Sequence, residues 1–77
     1  MNVEILSPDK QIFKGEADAL QVPGLDGLLG ILKNHAPLIS ALASGKVKVT
    51  SGGQDSFYEI KGGVIEVFKN KVIILAE

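Results

Sequence analysis

The sequence predicts an all-β fold of the sandwich or barrel kind. Seven short runs alternate apolar with polar residues and are rich in Val, Ile and Phe. Gly, Pro, Asn, Asp and Ser separate them at spacings typical of those two architectures. Helical periodicity is nearly absent, which removes the main competing class.

The elements follow in order. VEIL (Val3–Leu6) ends at a turn signalled by Pro8 and Asp9. KQIFK (Lys10–Lys14) and ADALQV (Ala17–Val22) are the next two strands. VPGLDGLLGILKNHAPL (Val22–Leu38) holds three glycines, two prolines and the sole histidine, and reads as a run of turns presenting a partly apolar surface. APLISALAS (Ala36–Ser44) is the one segment with helical spacing, and Gly45 would stop it. In KVKVT (Lys46–Thr50), Val47 and Val49 point one way and Lys46 and Lys48 the other, as in an antiparallel strand with one buried face. SGGQD (Ser51–Asp55) links it to SFYEI (Ser56–Ile60) through a hairpin loop long enough for a bulge. Gly62 and Gly63 open GVIEV (Gly63–Val67), where a backbone without Cβ permits a bend or the close passage of another chain. Lys69, Asn70 and Lys71 make a tight connection into KVIILA (Lys71–Ala76). That run is apolar on both faces from Val72 onward, as in a central strand or one covered by a partner.

Composition narrows the function. Seventy-seven residues fit a single small domain, residues 1–77, with a thin core. No cysteine is present, which excludes disulfides, thiolate zinc sites and cysteine nucleophiles and suits a reducing compartment. One histidine cannot make a histidine-rich metal site. Eight lysines and no arginine face nine carboxylates, for a net charge of −1, so no field attracts nucleic acid or an acidic membrane surface. Without arginine's planar fork, reading of phosphates or bases is not expected. No apolar run reaches the roughly 18 residues of a membrane span, and the N-terminus lacks the pattern of a signal peptide. The expectation is a soluble, cytosolic chain without a cofactor.

The motifs that resemble chemical sites fall short of them. Gly24, Gly27 and Gly30 are spaced G-x-x-G-x-x-G, which is neither the dinucleotide fingerprint nor the phosphate loop, and Pro37 breaks the helix either would need. His35 has no serine in a G-x-S-x-G elbow and no sign of an oxyanion hole, so no catalytic residue is assigned. Asp26, Asp55, Glu59 and Glu66 stand apart, unsuited to calcium or paired acid–base work. A lipoyl or biotinyl carrier of this length offers a lysine on a hairpin. Lys10, Lys69 and Lys71 lie at turns, but none has the hydrophobic, methionine-containing context of such carriers.

The residues do carry a family resemblance. VEILSPDKQIFKGEADALQVPGLDGLLGILKNHAPLISALASGKVKV, with the core G-x-L-G-I-L-x-x-H-A-P-L from Gly27 to Leu38, resembles in order and spacing the N-terminal β-sandwich of the epsilon subunit family of F-type ATP synthases, called delta in mitochondria. KGGVIEVFKNKVIILAE resembles that family's closing hairpin. The resemblance implies a flattened two-sheet antiparallel β-sandwich of about eight to ten short strands. It also implies a non-catalytic rotor role in the central stalk, between the gamma subunit and the c-ring of the membrane sector. There the subunit turns while proton or sodium flow drives ATP synthesis on the alpha and beta subunits. By position, Asp26, Gly27, Leu28 and Leu29 match the region facing the c-ring, and Ser7, His35 and Ser40 match the side facing gamma. Many members carry an acidic residue where this chain has Leu28, so here the contact is expected to be more apolar, with Asp26 supplying charge. The implied location is peripheral, on the cytoplasmic face of a bacterial inner membrane, touching the membrane only indirectly. Family members continue into a two-helix hairpin that can inhibit hydrolysis and in some binds ATP. This sequence ends at Glu77, so neither property is expected of it.

A mechanical role also agrees with elementary physics. Strand ladders and interdigitated side chains resist shear, as a body transmitting torque must. The Leu and Ile of GLLGIL are too many for so thin a core, and an exposed apolar patch is most simply explained by a partner that covers it.

Overall fold

Successive side chains of a strand point to opposite faces, so each apolar row of this sequence must find a facing row. In the computed structural model, which describes residues 1–77, nine strands and no helix accomplish this. They are β1 (Asn2–Leu6), β2 (Gln11–Glu16), β3 (Ala19–Gly24), β4 (Gly27–Leu32), β5 (Leu38–Leu42), β6 (Gly45–Ser51), β7 (Gln54–Ile60), β8 (Gly63–Phe68) and β9 (Lys71–Ala76).

The ladders form two layers. One carries the order β2-β1-β9-β8-β5; the other is built from β3, β6 and β7, with β4 on the far edge of β3. A single register pair, Gly24 opposite Leu42, joins β3 to β5 and so joins the layers. At the other side Phe13 of β2 and Tyr58 of β7 bring their ring centroids to 5.2 Å and seal the gap without hydrogen bonds. Sandwich and barrel, left open by the strand spacing, merge here into a nearly closed sandwich.

One core of 16 buried residues lies between the layers. Val3, Val72 and Val67 share one inner row, and Ile5, Ile74 and Ile65 the next. Leu20, Val22, Ile31, Val47 and Val49 face them from the second layer. Each such side chain contributes about 1.5–3 kcal/mol on burial, against the entropy of ordering the chain. Val47 and Val49 are buried while Lys46 is exposed and Lys48 half-buried, as their alternation predicts. β9 is a central strand between β1 and β8, and its outward residues Ile73 and Leu75 remain half-buried and exposed respectively.

The structure departs from the sequence reading in four places. APLISALAS is not helical: Leu38, Ser40 and Leu42 turn inward while Ile39 and Ala41 turn outward, a period of two fixed by the five-residue ladder with β8. So short a helix has little intrinsic stability to set against that ladder. GLLGIL is a strand rather than turns, because glycines occupy positions where alternation would otherwise have shown. The expected SGGQD loop is a two-residue turn: Ser51 pairs with Gln54, Gly52 and Gly53 have φ of +59° and +79°, and no bulge follows. The bulge lies instead between Ile5 and Leu6 on the β1–β2 ladder. Finally, β1 and β9 pair in parallel in an otherwise antiparallel fold. A parallel pair needs a long crossover, and here all the intervening strands supply it.

The β8–β9 hairpin turns at Lys69–Asn70 with φ of +48° and +61°, the tight connection anticipated for it. The close passage anticipated at Gly63 is that of β9: a Cβ there would overlap the Leu75 carbonyl oxygen, and φ is +147°. Gly63→Ala is therefore expected to cost at least about 2 kcal/mol in urea denaturation, from steric overlap and an unfavourable backbone region together. Gly30→Ala, where a Cβ meets nothing within 4 Å, should change stability by less than about 0.5 kcal/mol.

Candidate functional site

The β3–β4 hairpin ends in a two-residue turn, Leu25–Asp26, closed by the pairing of Gly24 with Gly27. Gly27 adopts φ of +126°, and a Cβ on Gly24 would lie 2.7 Å from the Gly27 carbonyl oxygen, so both glycines are needed for so tight a tip. Alternation then divides the residues matched to the c-ring side. Leu29 turns inward and packs against the core. Leu28, on the opposite face, is 66 % exposed, as is Leu25, and Asp26 is exposed at the apex. No hydrogen bond or ion pair engages the Asp26 carboxylate. The tip thus presents two leucines and one free negative charge on a rigid two-stranded arm.

The three residues matched to the gamma side are not gathered into one cluster. Ser7 follows the end of β1 nearest Leu75, and its hydroxyl donates to the Lys10 carbonyl (3.2 Å), closing the β1–β2 turn. His35 lies at the opposite end, in the loop between β4 and β5. Its N–H donates to the Leu32 carbonyl (3.1 Å), and the preceding Asn34, at φ of +62°, donates its N–H to Asn70 Oδ1 (3.0 Å). The ring Nδ1 lies 2.7 Å from the Ala36 carbonyl, so that nitrogen carries the proton. Ser40 sits mid-strand in β5 and, with Ala41, lines a shallow depression of about 190 Å³ whose other wall is the hairpin tip from Gly24 to Leu29. The fold therefore associates Ser40 with the candidate c-ring surface rather than with Ser7 or His35.

Two features escaped the sequence reading. Asp18, between β2 and β3, accepts the Gly52 N–H at Oδ2 (2.9 Å), holds Lys33 Nζ 3.4 Å from Oδ1, and donates its own N–H to the Thr50 carbonyl. One aspartate thereby ties three connections at the His35 end. The Gly52 N–H, and secondarily Lys33, hold its carboxyl below the usual aspartate range. The second feature is a broad apolar depression of about 570 Å³ on the outer face of β5 and β8, lined by Pro37, Ile39, Glu66 and Phe68 among others. Ile39 is 77 % exposed and Phe68 59 %. Only the pairing of β5 with β8 brings these residues together, and no short-range signal in the sequence does so.

Known proteins resemble this chain throughout its length. A family model described as "ATP synthase, Delta/Epsilon chain, beta-sandwich domain" matches residues 1–77. An ATP synthase epsilon chain of Leptospira borgpetersenii is 44 % identical over the whole chain, which spans 61 % of that relative. One from Chlorobium limicola is 46 % identical over 97 % of the chain and 86 % of the relative, and one from Caulobacter vibrioides is 38 % identical over 100 % and 90 %. Among solved structures, a chain in the Euglena gracilis mitochondrial ATP synthase assembly of OSCP, F1 and c-ring superposes with a TM-score of 0.89 at 28 % identity, covering 96 % of this chain and 48 % of that one. A chain in the Tetrahymena thermophila mitochondrial ATP synthase central stalk and c-ring has the same fold, with a TM-score of 0.79 at 18 % identity, over 97 % and 61 %.

The Asp18 network has a pH signature. A carboxylate whose folded pKa is lowered stabilises the fold above its unfolded pKa, near 4, and loses that contribution as pH falls through the folded value. In a carbon-detected NMR titration, Asp18 should titrate below the usual aspartate range, and Lys33→Met should move it partway back.

Proposed function

The chain belongs to the ATP synthase delta/epsilon beta-sandwich family, and on that premise we propose that residues 1–77 are the coupling body of a rotor subunit in the central stalk of an F-type ATP synthase. It grips the gamma subunit on one side and the c-ring on the other, and meets the alpha and beta subunits only through the assembled complex. Proton or sodium flow turns the ring, and the sandwich carries that rotation without performing chemistry itself. In a bacterium this places the domain at the cytoplasmic face of the inner membrane, as a peripheral component.

The observation that carries this reading is the hairpin tip. A charged apex and two exposed leucines stand on a strand pair whose base is anchored in the core through Leu29 and Ile31. A contact made there is transmitted to the whole body, because the inner faces of both layers interlock. Leu28 and Asp26 are the residues assigned to the ring. Ser40 borders the same depression and Ser7 and His35 cap opposite ends of the first layer, so a gamma subunit touching all three would lie along the length of the sandwich.

Binding to purified gamma and to detergent-solubilised c-ring tests the proposal, and failure of the folded domain to bind either one overturns it. Leu28→Asp should weaken ring binding roughly tenfold, the equivalent of about 1.4 kcal/mol lost from one leucine anchor. The melting temperature should stay unchanged, because Leu28 is exposed.

A further inference from the structure

A strand at the edge of a sheet offers unpaired N–H and C=O groups, and proteins ordinarily guard such edges with charge, proline or bulges. Three strands of this fold have a single ladder partner. β2 carries Lys14 and Glu16 and has a bulge in its ladder, and β7 carries Asp55 and Glu59. β4, GLLGIL, has no charge, no proline and no irregularity in its register with β3, its only ladder partner.

The direction of its free groups follows from a bond across β3. The Pro23 carbonyl accepts the Ala43 N–H (2.7 Å), so Pro23 points its main-chain oxygen away from β4. Leu28 is opposite Pro23, and in an antiparallel ladder both members of such a pair point outward. Leu28, Gly30 and Leu32 therefore aim their main-chain groups at the open edge. Of these, only the Leu32 carbonyl already has a partner, the His35 N–H. The side chains of Leu28 and Leu32 are 66 % and 64 % exposed, and a Cβ on Gly30 would meet nothing within 4 Å.

We propose that the free chain forms a two-fold dimer by antiparallel pairing of β4 with β4 of a second copy, Gly30 opposite Gly30 and Leu28 opposite Leu32. A two-fold axis perpendicular to the sheet keeps outward residues outward, so only registers of this parity join the faces correctly. In this register leucine meets leucine on the outer face, Leu29 meets Ile31 on the inner face, and glycine at the axis lets the strands approach unhindered. The flanking charges do not oppose one another: Asp26 falls opposite Asn34 and Lys33 opposite Gly27. A net charge of −1 adds little repulsion. The dimer occupies the same hairpin that the rotor contact would use, so the two associations exclude each other, yet the inference rests on the edge alone.

Sedimentation velocity of the 77-residue chain over increasing concentration tests the pairing. The expected result is a shift from 8.1 kDa toward twice that mass. Leu28→Lys with Leu32→Lys should abolish the shift, as should Leu28→Glu with Leu32→Glu, and an equimolar mixture of the two double variants should restore it because every 28–32 pair then joins opposite charges. Gly30→Cys gives an independent reading in a chain without cysteine. Directly opposed hydrogen-bonded residues have Cα atoms about 5.5 Å apart, within disulfide range, so mild oxidation should yield a covalent dimer, whereas Phe57→Cys on β7 should not. A monomer at every soluble concentration, a dimer that survives the lysine pair, or a mixture that stays monomeric overturns the proposal.

Discussion

β3 is shared between two layers, and the geometry of the molecule depends on that sharing. Along one edge it pairs first with β6, from Ala19 to Gln21, and then at Gly24 with β5. Pro23 occupies the point of exchange. It has no N–H to leave unsatisfied where the ladder changes partner, and its carbonyl is taken by Ala43. Its buried ring packs so close to Gly45 that a Cβ there would lie 2.9 Å away. With β3 crossing from one layer to the other, β4 is carried along its free edge, and the Leu25–Asp26 tip projects at the end where the layers meet.

From this junction the two ends of the sandwich acquire different characters. At the His35 end, Asp18 and Asn70 act through main-chain N–H groups to tie neighbouring connections together. Satisfying those donors with side chains holds loops that would otherwise fray. At the tip end Ser7 closes the β1–β2 turn, but the Leu25–Asp26 turn is closed by the Gly24–Gly27 pairing with no side-chain hydrogen bond, and its side chains are left free. The Leu25–Asp26 turn is therefore the connection whose side chains are least engaged by the rest of the fold.

Much of the strand content was legible because most of the seven runs alternate openly between apolar and polar residues. KVKVT could be assigned faces residue by residue, and VIILA was narrowed to a central strand or one covered by a partner, of which the structure shows the first. GLLGIL and LISAL were not legible as strands for a common reason. Glycine, serine and alanine stand at places in both that alternation would mark with stronger contrast, so the period of two is muted. Of the candidate site, a turn-rich segment with some of the Leu and Ile of GLLGIL left exposed was expected from the sequence, but not which of them. The inward turn of Leu29 depends on register with β3, and the pairing of Ser40 with the tip depends on the β3–β5 junction. Asp18 was invisible, since its partners Lys33 and Gly52 are 15 and 34 residues away in the chain.

The sequence by itself determined the all-β class, the positions of most turns, and the absence of thiol chemistry and of a strong charge field, because these rest on local periodicity, turn chemistry and composition. Its G-x-L-G-I-L-x-x-H-A-P-L core also pointed to the family. Tertiary structure alone decided the parallel closure of β1 on β9, the sharing of β3, and which of the seven matched residues share a surface. Each of these is a pairing between segments distant along the chain. Which register such segments adopt is fixed by burying every inner row at once, a condition no single stretch contains.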